Sequence, residues 1–168
     1  TVEEFLGGWK EIEFEVLRDA MDNCVVACSM ENVDPLGIHT GDSLVVAPCQ
    51  TLSCREFESL REAAFKTVRA LEIVGMATVR FAKDPSSPAF RLFEVNARVS
   101  RSTAIASKAT GMPLAWAAAR VMLGFSLSEI ENPLSSSTRC CAEPSFDYIA
   151  VKVPRWDLRR FGGVDRHL

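Results

Sequence analysis

The sequence predicts an α+β fold in which helices cover a mostly antiparallel sheet. Alternating segments come first along the chain, a helical stripe of apolar residues follows, and two more strands precede two Ala-rich helices. The 168 residues, of which 48% are apolar, are enough to bury a core. We therefore expect residues 1–168 to belong to a single domain.

Two strands open the fold. Residues 10–18 have the period of a strand with one polar face and one core face, because glutamates alternate with apolar residues: Glu11, Ile12, Glu13, Phe14, Glu15 and Val16. The polar face is either solvated surface or a functional surface. Asp22 and Asn23 indicate a turn, so residues 24–30 are predicted to return as the second strand, and residues 43–47 to form a third.

An amphipathic helix follows. Ser53 and Glu56 form the spacing of a capping box, which predicts the start of the helix, and Gly75 is expected to end it. The apolar positions fall on one stripe, so this helix should pack on the sheet: Phe57, Leu60, Ala64, Val68 and Leu71.

The second half of the chain supplies two more strands and two more helices. Strands are predicted at residues 79–82 and 90–95, joined by a proline-rich loop at 84–88. Gly111 divides helices at residues 102–110 and 113–123. From Ser126 to Thr138 we expect a short capped helix and a Ser-rich loop, and residues 146–153 are predicted as the last strand.

Charge and hydropathy argue against two classes of partner. A net charge of -3 without a basic stripe indicates no nucleic-acid partner. The most apolar window, residues 112–125, is interrupted by Arg120 and is shorter than the roughly 20 residues of a membrane-spanning helix, so no membrane partner is expected. Because the chain begins at Thr1, we expect a targeting signal, if there is one, to precede it.

Six cysteines follow neither a zinc-ligand spacing nor a disulfide framework. We interpret them as reduced, buried thiols, which weakly favours an intracellular protein. Cys24 and Cys28 are four residues apart on a predicted strand, so they should share its core-facing side.

Residues 93–102 carry the densest chemistry. Glu94 and Asn96 are two apart on a strand, so their oxygens share a face and suit Mg²⁺. Arg98 and Arg101 follow at the entry to a helix capped by Ser100 or Ser102, where guanidinium groups and free backbone amides hold oxyanions. A cation site beside an anion site is what phosphoryl transfer needs. The alternative is a set of surface ion pairs at a strand end.

Single residues outside this segment are ambiguous. His39 lies with Asp42 in a loop flanked by glycines, where a structural role is the simpler interpretation. Asn32 and Asp34 are typical turn residues.

Together the segments resemble the first, carboxyphosphate-forming half of the large subunit of carbamoyl-phosphate synthetase. The resemblance is colinear over almost the whole chain. It is carried by residues Gly8 to Val16, Met30 to Asp34, Gly37 to Ser43, Ala47 to Leu52, Glu94 to Ser102, Ala106 to Gly111, Glu143 to Tyr148 and Lys152 to Arg155.

The resemblance implies an ATP-grasp fold, of which this chain is the C-terminal lobe, with the N-terminal lobe upstream of Thr1. It implies an ATP-dependent ligase that phosphorylates bicarbonate to carboxyphosphate, which ammonia then attacks, in pyrimidine or arginine and urea biosynthesis. The resemblance implies ammonia from glutamine through a glutaminase domain or subunit, with free ammonia from solution as the alternative, and the remaining lobes of the large subunit as the other partners. The isolated piece should be inactive, and a cytoplasmic location is expected, with a mitochondrial one left open.

The resemblance also implies site residues. Glu4 and Leu6 match the segment that meets adenine, and Glu11 matches the residue that holds the ribose. A loop closing over ATP corresponds to Gly37, Ile38 and His39. Glu94 and Asn96 match ligands of Mg²⁺ or Mn²⁺, while Arg98 and Arg101 match the catalytic groups that face carboxyphosphate. A potassium ion would map onto Glu11, Asn32, Asp34, Ile38 and Ser43.

One position departs from the family pattern. Arg80 stands where the family has a glutamine that binds a metal, and an arginine has no acceptor atom and carries a permanent charge. We hypothesise that Arg80 places its charge on the phosphates of ATP in place of one metal. Two alternatives are a non-catalytic scaffold segment of the same polypeptide and another ATP-grasp ligase such as a biotin carboxylase, although the latter does not have the strings at Gly37 to Ser43 and Ser107 to Gly111.

Overall fold

Six strands form one antiparallel sheet with helices on both faces, as the sequence predicts. The computed structural model describes residues 2–157, 159, 160 and 163. The strands of the sheet lie in the order β5-β4-β1-β2-β3-β8, and β6 and β7 form a separate hairpin. The strands are β1 (Lys10–Arg18), β2 (Cys24–Asn32), β3 (Val45–Ala47), β4 (Gly75–Lys83), β5 (Phe90–Asn96), β6 (Glu131–Asn132), β7 (Ser135–Arg139) and β8 (Ala150–Lys152). The helices are α1 (Cys54–Ala70), α2 (Arg101–Thr110) and α3 (Leu114–Met122).

Helix α1 covers the first face of the sheet. The predicted capping box is confirmed: Ser53 Oγ accepts from the Glu56 amide, and the Glu56 carboxylate accepts from the Ser53 amide. Three apolar residues of α1 are fully buried: Leu60, Ala64 and Val68. They pack against the alternating apolar residues of β1 and β4. The helix ends at Ala70, so the predicted stripe is one residue too long, and exposed Leu71 is the C-cap. Gly75 begins β4 instead of ending the helix.

The second face is divided into an apolar part and a polar part. Helices α2 and α3 pack their small side chains on Leu17, Met76 and neighbouring apolar residues at one end of β1 and β4. Toward the other end of β1, the same face carries Glu11, Glu13 and Glu15, and all three are at most 2% exposed. The polar face of β1 is therefore not solvated surface. This result favours the alternative interpretation, that the glutamates of β1 form a functional surface.

A β-bulge changes the side-chain alternation in β2. Glu15 pairs with Cys28 while Val16 pairs with Val26, so Ala27 is the extra residue. The prediction that Cys24 and Cys28 share a face is therefore wrong: Cys24 packs on the α1 side, and Cys28 lies in the core on the α2 and α3 side. All six cysteines are free, but Cys54 and Cys141 are exposed, so only part of the set is buried thiol.

The segment after α3 differs most from expectation. The predicted short helix after Ser126 is a turn, and the Ser-rich stretch that follows pairs with β6 as strand β7. The last strand is limited to Ala150–Lys152, because only these residues pair with β3. Among the residues that the structure describes, none of the helices is both long and apolar enough to cross a membrane.

Leu60 tests the packing of α1 on the sheet. Its side chain is fully buried, so Leu60→Ala should lower the free energy of unfolding by about 2–5 kcal/mol through lost burial and an unfilled cavity. Urea unfolding followed by far-UV circular dichroism measures the change. Glu62→Ala on the exposed side of α1 is the matched control and should shift the free energy by less than about 0.5 kcal/mol. Equal effects of both changes would contradict this packing.

Candidate active site

Sheet register brings the polar residues of three strands into adjacent rows. Arg80 on β4 lies directly between Glu13 on β1 and Glu94 on β5. One step along the sheet, Thr78 lies between Glu15 and Asn96. Because cross-strand partners point to the same face, these side chains meet even though they are far apart in sequence.

The guanidinium of Arg80 is buried among carboxylates and one hydroxyl. Its Nη1 donates to Glu94 Oε2 at 2.7 Å, and its Nη2 donates to Thr40 Oγ1 at 3.0 Å. Its Nε lies 3.0 Å from Glu13 Oε1 as an ion pair outside hydrogen-bond alignment, and Nη1 lies 3.9 Å from Glu11 Oε1. We call these five residues the Arg80 cluster: Glu11, Glu13, Thr40, Arg80 and Glu94.

A turn formed by residues 39–43 closes the cluster from above the sheet. It contains the short 3-10 helix Thr40–Asp42, and His39 Nδ1 accepts from the Gly41 amide at 3.1 Å. The buried Thr40 hydroxyl donates to Glu13 Oε1 while it accepts from Arg80. Gly41 leaves room for Arg101, since a Cβ at this position would lie 2.4 Å from Arg101 Nη1. We call residues 39–43 the site turn.

A pocket of about 170 Å³ opens above the Arg80 cluster. We call it the anion pocket; its lining residues are His39, Thr40, Arg80, Glu94, Asn96, Arg98, Ser100, Arg101 and Ser102. Three arginines face one carboxylate there, so the lining is positively charged. In the part of the chain that the structure describes, neither Arg98 nor Arg101 has a carboxylate within ion-pair distance. The alternative of surface ion pairs between Glu94 and these two arginines is not found among the described residues, where Glu94 is paired with Arg80.

Glu15 fixes the start of α2 at the edge of this pocket. Its carboxylate accepts from Thr78 Oγ1 at 2.7 Å and from Thr103 Oγ1 at 2.8 Å. Thr103 Oγ1 also accepts from the Ser100 amide, and Ser100 Oγ caps the Thr103 amide in return. Ser100 is therefore the cap that the sequence left open between two serines. The first amides of α2 point toward a pocket that already favours anions.

Burial governs the protonation of the glutamates on β1. Burial raises the pKa of Glu15 to about 7, against the two threonine hydrogen bonds that lower it. Burial also raises the pKa of Glu11, and the nearby Glu13 carboxylate adds to this, while Arg80 opposes both effects. Glu11 Oε1 and Glu13 Oε2 are buried and have no hydrogen-bond partner in the described part of the chain. The face therefore has room for a further positive charge.

Glu94 and Asn96 lie together as predicted, but Arg80 occupies one of the two carboxylate oxygens of Glu94. Oε2 holds Arg80, and Oε1 accepts from Asn96 Nδ2 at 3.1 Å. One carboxylate oxygen and one amide fit a single hard divalent ion whose other ligands come from waters or a substrate. Within the described ranges, no group of three His, Cys, Asp or Glu side chains could hold a metal ion by itself.

A second group of oxygens lies beside the first. Asn32 lies opposite Glu11 in the sheet and connects β2 to the site turn: Ser43 Oγ donates to Asn32 Oδ1, and Asn32 Nδ2 donates to the Ile38 carbonyl at 3.4 Å. Together with the unpartnered Glu11 Oε1, this donor set fits a large monovalent cation. Asp34 supports the same loop by accepting from the Leu44 amide at 2.6 Å.

The remaining predicted residues lie outside the anion pocket. Glu4 is exposed and pairs with Arg91 on β5 at 3.4 Å, and the Leu6 carbonyl accepts from the Trp9 amide. Gly37 has a positive φ of 99° next to the site turn, a conformation that favours glycine.

Sequence reasoning missed the residues that support the site from inside. Thr40, Thr78 and Thr103 carry no charge and lie in unrelated segments, so no pattern singles them out. One signal was available: Glu13 and Arg80 are opposite charges on the polar faces of two predicted strands, which is typical of a cross-strand pair.

Known proteins resemble this chain strongly. The family model described as "Carbamoyl-phosphate synthase L chain, ATP binding domain" matches residues 1–130. The arginine-specific large chain of carbamoyl phosphate synthase from Eremothecium gossypii is 58% identical over 98% of this chain, and the mitochondrial carbamoyl-phosphate synthase [ammonia] from Aquarana catesbeiana is 59% identical over 97%. The chain spans only 15% and 11% of these two relatives.

Solved structures share the fold at low sequence identity. A pyruvate carboxylase from Rhizobium etli superposes with a TM-score of 0.72 at 21% identity, over 89% of this chain and 14% of that protein. A biotin carboxylase from Campylobacter jejuni reaches a TM-score of 0.64 at 20% identity, over 74% of this chain and 27% of that protein. The antiparallel sheet and its helices therefore have the ATP-grasp architecture.

Glu15→Gln tests the buried carboxyl group. Because the folded-state pKa of Glu15 is about 7 and the ordinary value is 4.5, the folded protein keeps a proton that the unfolded chain loses between these pH values. The wild type should therefore lose stability as pH rises from about 4.5 to about 7, by on the order of 3 kcal/mol from this group. Glutamine does not titrate, so the stability of Glu15→Gln relative to the wild type should increase over this range.

Urea unfolding at a series of pH values measures this difference. Other titrating groups contribute to both proteins and largely cancel in the comparison. A difference between the two proteins that stays constant from pH 4.5 to pH 8 would contradict the assignment.

Proposed function

Since the chain belongs to the carbamoyl-phosphate synthase L chain ATP-binding family, we propose that it is part of an ATP-dependent ligase that phosphorylates bicarbonate to carboxyphosphate on the way to carbamoyl phosphate. The observation that carries this proposal is the anion pocket. Arg98 and Arg101 face it with no carboxylate partner among the residues that the structure describes, and Arg80 adds a third guanidinium behind Glu94. Such a pocket suits a ligand with several negatively charged oxygens.

In the proposed function, Arg98 and Arg101 hold the group that is transferred. During phosphoryl transfer, negative charge spreads over the oxygens of the migrating PO₃ unit, and preorganised donors stabilise that charge. Arg98 and Arg101 supply guanidinium forks, and the start of α2 supplies backbone amides. Glu15 keeps these donors in place through Thr103 and the Ser100 cap.

Cations complete the site. Glu94 and Asn96 would hold one Mg²⁺ or Mn²⁺, which supplies charge neutralisation at the terminal phosphates of ATP when bound. The oxygens of Glu11, Asn32, Ile38 and Ser43, with Asp34 supporting their loop, would hold a potassium ion. Both ions fit donor sets that this chain already orients.

Arg80 takes the place of a further cation. Its guanidinium neutralises buried Glu13 and partly exposed Glu94, the two carboxylates on either side of β4. In the proposed function Arg80 is a fixed positive charge at the base of the anion pocket, and its field acts on the phosphates of ATP. Because Arg80 donates its hydrogen bonds to Glu94 and Thr40, it acts on the phosphates through its charge and not through direct hydrogen bonds.

The rest of the nucleotide site uses segments around the pocket. We propose that Glu4 and Leu6 meet adenine, that Glu11 holds the ribose, and that Gly37, Ile38 and His39 close over the nucleotide. An N-terminal lobe completes the ATP site, and the ammonia comes from glutamine through a glutaminase domain or subunit. The relatives include pyrimidine-type and arginine-specific proteins and mitochondrial forms, so the pathway and the location stay open between these.

One observation favours a different class, a non-catalytic segment of the same polypeptide. The Arg80 to Glu94 ion pair occupies a carboxylate oxygen that a metal would use. Calorimetric titration of the intact protein with a non-hydrolysable ATP analogue separates the two. A catalytic lobe binds the analogue more tightly with Mg²⁺ than without it, whereas a scaffold shows no such linkage.

Arg98→Ala and Arg101→Ala test the transferred-group contacts. Each change removes a preorganised donor, so bicarbonate-dependent ATP hydrolysis by the intact protein should fall by about 100-fold or more. Arg139→Ala is the matched control, because Arg139 pairs with Glu131 on the distant β6-β7 hairpin, and it should retain full activity. Activity within about twofold of the wild type for both site variants would refute the proposed role.

Arg80→Gln tests the fixed charge. Removing the guanidinium frees Glu94 Oε2 and leaves the cluster short of positive charge, so the variant should bind more divalent ion per nucleotide than the wild type. Equilibrium binding of Mn²⁺ in the presence of a non-hydrolysable ATP analogue, followed by electron paramagnetic resonance, counts the ions. Arg80→Lys keeps a charge and should behave as the wild type. If Arg80→Gln binds the same number of Mn²⁺ ions per nucleotide as the wild type, the hypothesis is wrong.

A further inference from the structure

Lys152 lies on the edge strand β8, outside the anion pocket, yet it is bound to the site turn. Its Nζ donates to three backbone carbonyls, those of Thr40 at 2.8 Å, Gly41 at 2.7 Å and Ser43 at 2.7 Å. Three donors is the full capacity of an ammonium group. All of the hydrogen-bonding capacity of Lys152 therefore goes to one short segment.

The fold holds Lys152 in place for this role. β8 pairs with β3, and Lys152 is directly opposite Val45, two residues after Ser43. Strand β3 in turn pairs with β2 at Asn32. Strand β8 thus places the ammonium at the backbone of the site turn from the edge of the sheet.

The site turn contacts two arginines of the pocket, Arg80 and Arg101. On its inner side, Thr40 Oγ1 accepts from Arg80 and donates to Glu13. The space beside the Gly41 backbone is filled by the end of the Arg101 side chain. A shift of this turn would therefore move the hydroxyl that Arg80 needs and the surface on which Arg101 rests.

Three converging carbonyls do not keep this geometry without a cation. The partial negative charges of the three oxygens repel one another, and Thr40 and Ser43 are buried, so water cannot replace the ammonium freely. We propose that Lys152 is a positioning residue of the active site, whose ammonium holds the site turn in the form that supports Arg80 and Arg101. The effect on catalysis rests on the proposed function, whereas the effect on the turn does not.

Lys152→Met in the intact protein tests the proposal, because methionine keeps the length of the side chain and removes the charge. Hydrogen exchange measured by mass spectrometry on the nucleotide-free protein should show residues 39–43 exchanging about tenfold faster or more, with β1 and β4 unchanged. Binding of a non-hydrolysable ATP analogue with Mg²⁺ should weaken by about tenfold. Lys152→Arg keeps the charge and several donors and should recover part of both effects.

Lys83→Met is the matched control. Lys83 is also a buried ammonium that donates to two carbonyls, those of Asp84 and Ser87, and pairs with Glu56, but it lies beside α1 and away from the anion pocket. This variant should lose stability while exchange in residues 39–43 and analogue binding stay as in the wild type.

The outcomes separate the two proposals. Unchanged exchange in residues 39–43 of Lys152→Met overturns the positioning role, and so does an equal loss of analogue binding in Lys83→Met. If the wild type itself binds no analogue, the proposed function fails, and the exchange measurement still decides whether Lys152 holds the turn.

Discussion

The polar half of the sheet depends on the buried guanidinium of Arg80. β1 places Glu11, Glu13 and Glu15 on one face with almost no exposure, and three carboxylates so placed repel one another and lose their hydration. Arg80 lies directly opposite Glu13, and the Thr40 hydroxyl hydrogen-bonds to both Glu13 and Arg80. Removing one partner from such a network leaves buried charge without compensation, which costs far more than a surface ion pair contributes.

The same network explains why the site lies where it does. One face of the sheet is apolar under α2 and α3 and polar toward the start of α2. The boundary between the two parts is at Glu15, which binds both Thr78 from the sheet and Thr103 from the helix. The start of α2 is therefore attached to the polar part of the sheet, and Ser100, Arg101 and Ser102 line the pocket.

Fold and sequence similarity answer different questions about this protein. The carboxylases that share its architecture do so at about 20% identity, which shows a common ATP-grasp frame and nothing of the substrate. The carbamoyl-phosphate synthases match at 54–59% identity over nearly the whole chain. Within this family frame, Arg80 lies at the base of the pocket and pairs with carboxylates on both neighbouring strands.

The sequence by itself determined the types of the elements up to α3, the capping box of α1 and the family. These follow from local periodicity, local hydrogen bonding and ordered strings of residues, all of which are short-range properties of a chain. It did not determine the β-bulge at Ala27 or the β6-β7 hairpin, because both depend on which strand pairs with which. Only the tertiary structure decided that the glutamates of β1 are buried, that Arg80 bonds to Glu94, and that Lys152 holds a turn more than a hundred residues away. The physical reason is that strand register and buried charge compensation join distant segments, and no pattern within one segment encodes its partner.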